Sequence, residues 1–187
     1  MLRIFFKKKQ KIIKNPFIRF SREIIYGGLD GIITTFAVIA GFTGAQSGNT
    51  ANLTISTVLL FSFANLFSDA SSMALGNLLS ARTEIKKNLN KHINQFIDNP
   101  FFTSIATFLS FITFGMIPII PYLFFKGIDT TDIFYIACLL SGFSLIVLGV
   151  VRMLITKESW YKSIGEVAII GGSSASIAYI VGTFFKF

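Results

Sequence analysis

Residues 24–46 read IIYGGLDGIITTFAVIAGFTGAQ and residues 53–81 read LTISTVLLFSFANLFSDASSMALGNLLSA. Each run exceeds the roughly 20 predominantly apolar residues that a helix needs to cross a bilayer. Each also carries one carboxylate well inside it, Asp30 in the first and Asp69 in the second. Three further runs of spanning length follow, at about 101–125, 132–154 and 164–185. Residues 23–187 are therefore expected to form one all-α, polytopic domain of five transmembrane helices. Composition agrees: of 187 residues, 52% are hydrophobic, 15% aromatic and only 14% charged, too apolar for a water-facing surface. The connections are too short for an inserted soluble domain. The longest runs ARTEIKKNLNKHINQFIDNP from Ala81 to Pro100.

The net charge of +8 is concentrated rather than spread. Residues 1–22 hold Arg3, Lys7, Lys8, Lys9, Lys11, Lys14, Arg19 and Arg22 and no acid. They lack the continuous apolar run and small-residue cleavage site of a signal peptide, and read as a retained basic arm. Its interleaved Phe and Ile side chains suit an anionic membrane surface, although a solvated topogenic arm is the plainer reading. With this arm cytoplasmic, Arg82, Lys86, Lys87 and Lys91 of the second connection and Arg152, Lys157 and Lys162 of the fourth share its side. Only Lys126 and Lys186 fall opposite. That bias is the positive-inside rule, and it accounts for the charge without nucleic acid or an acidic partner. Trp160 and Tyr161 suit an interfacial belt. Cys138 is the only cysteine, which excludes an internal disulfide framework.

A carboxylate at bilayer depth costs roughly 3 kcal/mol on insertion scales, so it faces a bundle interior and marks a binding site or pathway. Asn65, Asp69, Met73 and Asn77 recur every four residues and form one stripe on the second helix. Asp30 and Thr34 have the same relation on the first. Two such helices facing a common interior offer carboxylate, amide, hydroxyl and thioether donors to a divalent cation. The oxygens suit Mn²⁺ or Fe²⁺, and the softer sulfur of Met73 tilts the choice away from Mg²⁺ and Ca²⁺. The candidate metal ligands are thus Asp30, Asp69, Met73, Asn65, Thr34 and Asn77, with helix packing the plain alternative for Met73. Low dielectric disfavours a charged carboxylate and a nearby cation favours it, so one pair of acids can alternate between proton and metal. Gly27 with Gly31, Ala37 with Gly41 and Ala45, and Ala70 with Ala74 form small-residue ridges for close helix contact, within one chain or across a dimer. Pro118 and Pro121 can loosen the third span.

Four stretches, 22–45 (REIIYGGLDGIITTFAVIAGFTGA), 67–84 (FSDASSMALGNLLSARTE), 110–123 (SFITFGMIPIIPYL) and 163–182 (SIGEVAIIGGSSASIAYIVG), resemble in order and spacing the vacuolar iron transporter family. The resemblance implies export of Fe²⁺ and Mn²⁺ from the cytosol in exchange for protons, by a homodimer whose pathway lies near the paired first helices. It implies metal contact for Asp30 and Met73, and no cofactor beyond the transported ion and its counter-ion. The chain departs from the family pattern where Asn65 stands in place of a glutamate found in some members and Asn77 in place of a frequent one. Many relatives also insert a glutamate-rich cytoplasmic domain between the second and third spans, where this chain has only Glu84 and Asp98 as acids. The expected location is an integral membrane protein, of the plasma membrane in a prokaryote or of a vacuolar or other endomembrane in a eukaryote.

Two other classes remain to be separated. A metal-dependent intramembrane lipid enzyme needs a denser acid cluster than one Asp per helix, and the only histidine, His92, lies in the polar connection. No Ser-His-Asp or Cys-His set assembles, so the expectation is no enzyme. In a non-transporting scaffold the polar stripe would only glue helices, and Asp30→Ala with Asp69→Ala would cost assembly rather than flux. Glu166 is expected to pair with Arg152, Lys157 or Lys162, Glu23 to suit the first turn of its helix, and Asp129 and Asp132 to be solvated.

Overall fold

The computed structural model describes residues 20–46, 54–89, 99–125, 127 and 129–185. The basic arm up to residue 19, with Lys91, His92, Asp98, Lys126 and Lys186, lies outside the described residues. Every described element is helical: α1 (Ser21–Gln46), α2 (Ile55–Leu89), α3 (Pro100–Gly115), a 3₁₀ turn (Ile117–Ile119), α4 (Ile120–Phe124), α5 (Thr130–Thr156) and α6 (Trp160–Phe184). Five membrane-crossing segments result, α3 and α4 together making the third. The helices alternate in direction, so Arg22, Arg82, Lys86, Arg152 and Lys162 gather at one end of the bundle, the cytoplasmic one by the charge rule.

Two elements differ from the apolar pattern. The second helix does not stop at residue 81 but continues to Leu89, giving 35 residues. At 1.5 Å per residue that is about 52 Å, far beyond the roughly 30 Å hydrocarbon core. Residues 82–89 contain no Gly or Pro, and Lys86 and Lys87 in the last turn complement the helix dipole. The third span is broken. Asn99 accepts from the Phe101 N–H at 3.1 Å and Pro100 opens α3, a favourable start. Pro118 and Pro121 then lack the N–H groups that would continue the ladder, and the chain tightens into the 3₁₀ turn before resuming as α4.

Helix α1 lies at the centre, against α2, α3, α5 and α6. Its small residues are used within the chain. A Cβ at Gly31 would lie 2.5 Å from the carbonyl oxygen of Phe111 in α3, and one at Gly44 would strike the Tyr179 carbonyl of α6. Ser110 adds a cross-helix hydrogen bond, its hydroxyl donating to the Ile24 carbonyl at 2.8 Å. Ile39, Leu66, Phe111, Ile119 and Ile133 fill the core. Leu60, Leu79, Leu139, Phe143, Ile169 and Phe184 point outward, the arrangement that lipid rewards and water does not.

Candidate metal site

Asp30 lies nine residues into α1, about 14 Å along the helix from Ser21. Asp69 lies fourteen residues into the antiparallel α2, about 21 Å from its outer start. The two carboxylates therefore meet at similar depth, close enough to act on each other electrostatically. Asn65, one turn earlier on α2, donates its amide N–H to Asp69 Oδ2 at 2.9 Å, which orients that carboxylate.

Asp30 and Met73 share the wall of an open cavity of about 860 Å³ between α1, α2, α5 and α6. Asp30 is exposed there rather than turned into the bundle interior as expected, because Gly27, Gly28 and Gly31 give the inner face of α1 to α3 and α5. Arg22 and Tyr26 precede Asp30 on the same wall at four-residue spacing, forming a polar stripe from the cytoplasmic end to the carboxylate. On the other side of Arg22, Tyr26 and Met73 lies a second cavity of about 280 Å³, walled also by Glu23, Asn77, Ser80 and Thr107. Met73 thus lines both spaces, and shares the larger one with Asp30.

The six residues expected to bind metal separate into groups. Asp30 and Met73 share a cavity wall, whereas Asp69 is off the walls of both cavities, within electrostatic reach of Asp30 and bonded to Asn65. Asn77 faces the smaller cavity and donates its amide to Thr107 Oγ1 of α3 at 2.8 Å, so its nitrogen ties two helices. Thr34 is off the walls of these two cavities, and its hydroxyl donates to the Asp30 carbonyl oxygen at 2.9 Å. That back-bond is the usual fate of a helix threonine in apolar surroundings, where no water competes for the hydroxyl. Among the described residues no group of three or more His, Cys, Asp or Glu gathers into a closed cage.

The charged and phenolic side chains of the larger cavity other than Asp30, namely Arg22, Tyr26, Arg152 and Glu166, escaped the sequence reading as site residues. The spacing of Arg22, Tyr26 and Asp30 was an available signal. For Glu166, pairing was expected, and its Oε2 indeed lies 2.6 Å from Arg152 Nη1. That the pair stands on the same wall as Asp30 follows only from the docking of α5 and α6.

The profile of the VIT family matches residues 21–95 and 85–183, two stretches that meet in the cytoplasmic connection. A vacuolar iron transporter of Plasmodium berghei (strain Anka) is 24% identical over 229 aligned positions, covering 88% of this chain and 82% of that protein. Those positions outnumber the chain's 187 residues, so that relative carries residues this chain lacks. A vacuolar iron transporter of Toxoplasma gondii (strain ATCC 50861 / VEG) is 43% identical over 63 residues, 34% of this chain and 19% of its own length. One of Plasmodium falciparum (isolate 3D7) is 36% identical over 63 residues, 34% of this chain and 21% of its own. Five spanning helices, acids at matching depth on the first two, and profile matches on both sides of the connection converge on one conclusion: the chain belongs to the VIT family.

Proposed function

We propose that this protein exports Fe²⁺, Mn²⁺ or both from the cytosol in exchange for protons, acting as a homodimer. The observation that carries the reading is the pairing of Asp30 and Met73 on one cavity wall with Asp69 in electrostatic reach. Two carboxylates and a thioether suit a divalent transition metal better than Mg²⁺ or Ca²⁺. The names of the similar proteins, vacuolar iron transporters, point the same way.

The ion enters from the cytoplasmic end, displaces protons from Asp30 and Asp69, and shares their charge until the path opens outward. Protons then return to the acids. An open, incomplete ligand set favours release, which a transported ion requires as much as capture. Asn65 keeps Asp69 oriented through both states. With Glu84 the only acid of residues 82–89, loading relies on the membrane site rather than on a cytosolic chelating domain.

The test is uptake of Mn²⁺ and of Fe²⁺ into proteoliposomes with and without a pH gradient. Asp30→Asn is expected to lower flux about a hundredfold, as loss of a charged ligand to the transported ion does, while the protein remains folded. Uptake that survives Asp30→Asn unchanged would overturn the site, and uptake indifferent to the gradient would overturn proton exchange.

A further inference from the structure

At the cytoplasmic end of the larger cavity, Arg152 of α5 faces two carboxylates. Its Nη1 lies 2.6 Å from Glu166 Oε2 on α6, and its Nη2 lies 3.4 Å from Glu158 Oε2 in the short link between the helices. The first contact is short and charge-assisted and the second is long, so the guanidinium is held chiefly by Glu166. Arg152 and Glu166 both line the cavity that contains Asp30 and Met73, whereas Glu158 does not. Glu166 lies six residues into α6, about 9 Å along the helix, between the cytoplasmic mouth and the depth of Asp30.

Resting on the transport reading, we propose that the Arg152–Glu166 pair is the cytoplasmic latch of the cation path. Glu166 holds either the tethered guanidinium or the incoming divalent cation, and Arg152 turns to Glu158 when the cation takes Glu166. Glu166 is exposed at this end while Arg152 is largely covered, so an incoming cation reaches the carboxylate directly and the exposed pair resists exchange only weakly. A divalent ion carries twice the charge of a guanidinium and approaches an oxygen more closely, so it competes effectively. Glu158 supplies the condition that makes the exchange reversible, a second partner already on the other guanidinium nitrogen. Helices α5 and α6 are linked in sequence by Lys157, Glu158 and Ser159, with Lys157 in the left-handed region at φ 57°, and Gly149 packs on Ile164 below the pair, so the exchange is a side-chain movement at the mouth that leaves the helices docked.

The full-length protein in proteoliposomes, with Mn²⁺ as the probe, tests this through the half-saturating concentration. Glu166→Gln is expected to raise it about tenfold and Arg152→Gln to lower it by a similar factor, the worth of one charge-assisted contact. Arg152→Lys, which keeps a cation but not the fork, is expected to fall between Arg152→Gln and the parent. Arg22→Gln removes a charge from the same wall. A shift equal to that of Arg152→Gln would assign the effect to net field and overturn the latch. So would a folded Glu166→Gln with an unchanged half-saturating concentration. Failure of all three pair variants, Arg152→Lys included, to give a folded protein by size-exclusion chromatography and thermal unfolding would make the pair a structural staple and also overturn it. If Asp30→Asn abolishes flux while Glu166→Gln leaves it untouched, the latch alone fails. If Asp30→Asn transports normally, the underlying site fails.

Discussion

Asp69 illustrates how a single side chain acquires its role from a neighbour one turn away. Its Oδ2 accepts the Asn65 amide N–H at 2.9 Å, which holds one oxygen and leaves the carboxylate aimed by α2 rather than by solvent. Under the proposed transport function Asn65 would position that carboxylate for the metal. Partners of this kind typically contribute 10- to 100-fold to affinity, so Asn65→Ala is expected to lower Mn²⁺ uptake at low concentration about tenfold with an unchanged melting temperature. Met73 tests the donor chemistry. Met73→Leu conserves volume, so stability should change by less than about 1.5 kcal/mol. Losing the sulfur is expected to let Mg²⁺ inhibit Mn²⁺ uptake more strongly, measured by competition flux assays.

At the scale of elements, the glycines of α1 decide how near its neighbours come. Adding a methyl group at Gly31 would place it 2.5 Å from the Phe111 carbonyl oxygen, a backbone atom that cannot move without shifting α3. Gly31→Ala is expected to destabilise the bundle by about 1–3 kcal/mol, read as a lowered thermal midpoint in detergent. Gly142 of α5 has open space where its Cβ would be, and Gly142→Ala is expected to be neutral or slightly stabilising. The same accounting places the small-residue ridge between α1, α3 and α6 of one chain. It leaves the face carrying Tyr26 and Asp30 exposed.

That exposure is a property of the whole molecule. Tyr26 is 64% exposed and Asp30 is exposed beside it, although α1 crosses the membrane. A carboxylate facing lipid at that depth is unfavourable by several kcal/mol, and in the proposed homodimer a second copy would cover this face and remove the penalty. Tyr26→Cys in a Cys138→Ser background is accordingly expected to cross-link two chains in native membranes under mild oxidant. A species that stays monomeric on a non-reducing gel would count against assembly through this face.

Length and periodicity suffice for much of this protein. Five apolar runs, one carboxylate within each of the first two, and a stripe from Asn65 to Asn77 are local properties of the chain. Hydrogen bonding of the backbone in lipid leaves a helix as the only form for such runs. Local pattern does not decide where no local energy distinguishes the outcomes. Thr34 and Asn77 have the right chemistry for metal, yet one hydroxyl bonds its own backbone and one amide reaches Thr107. The broken third span follows from Pro118 and Pro121, but its consequence for packing does not. Arg152 and Glu166 lie more than a hundred residues from Asp30, and only close docking of α1 against α6, permitted by glycines such as Gly44, brings all three to one cavity. The number and composition of the helices are written in the order of residues. Which side chains share a space depends on how closely the backbones approach, and that is settled only when every helix has packed.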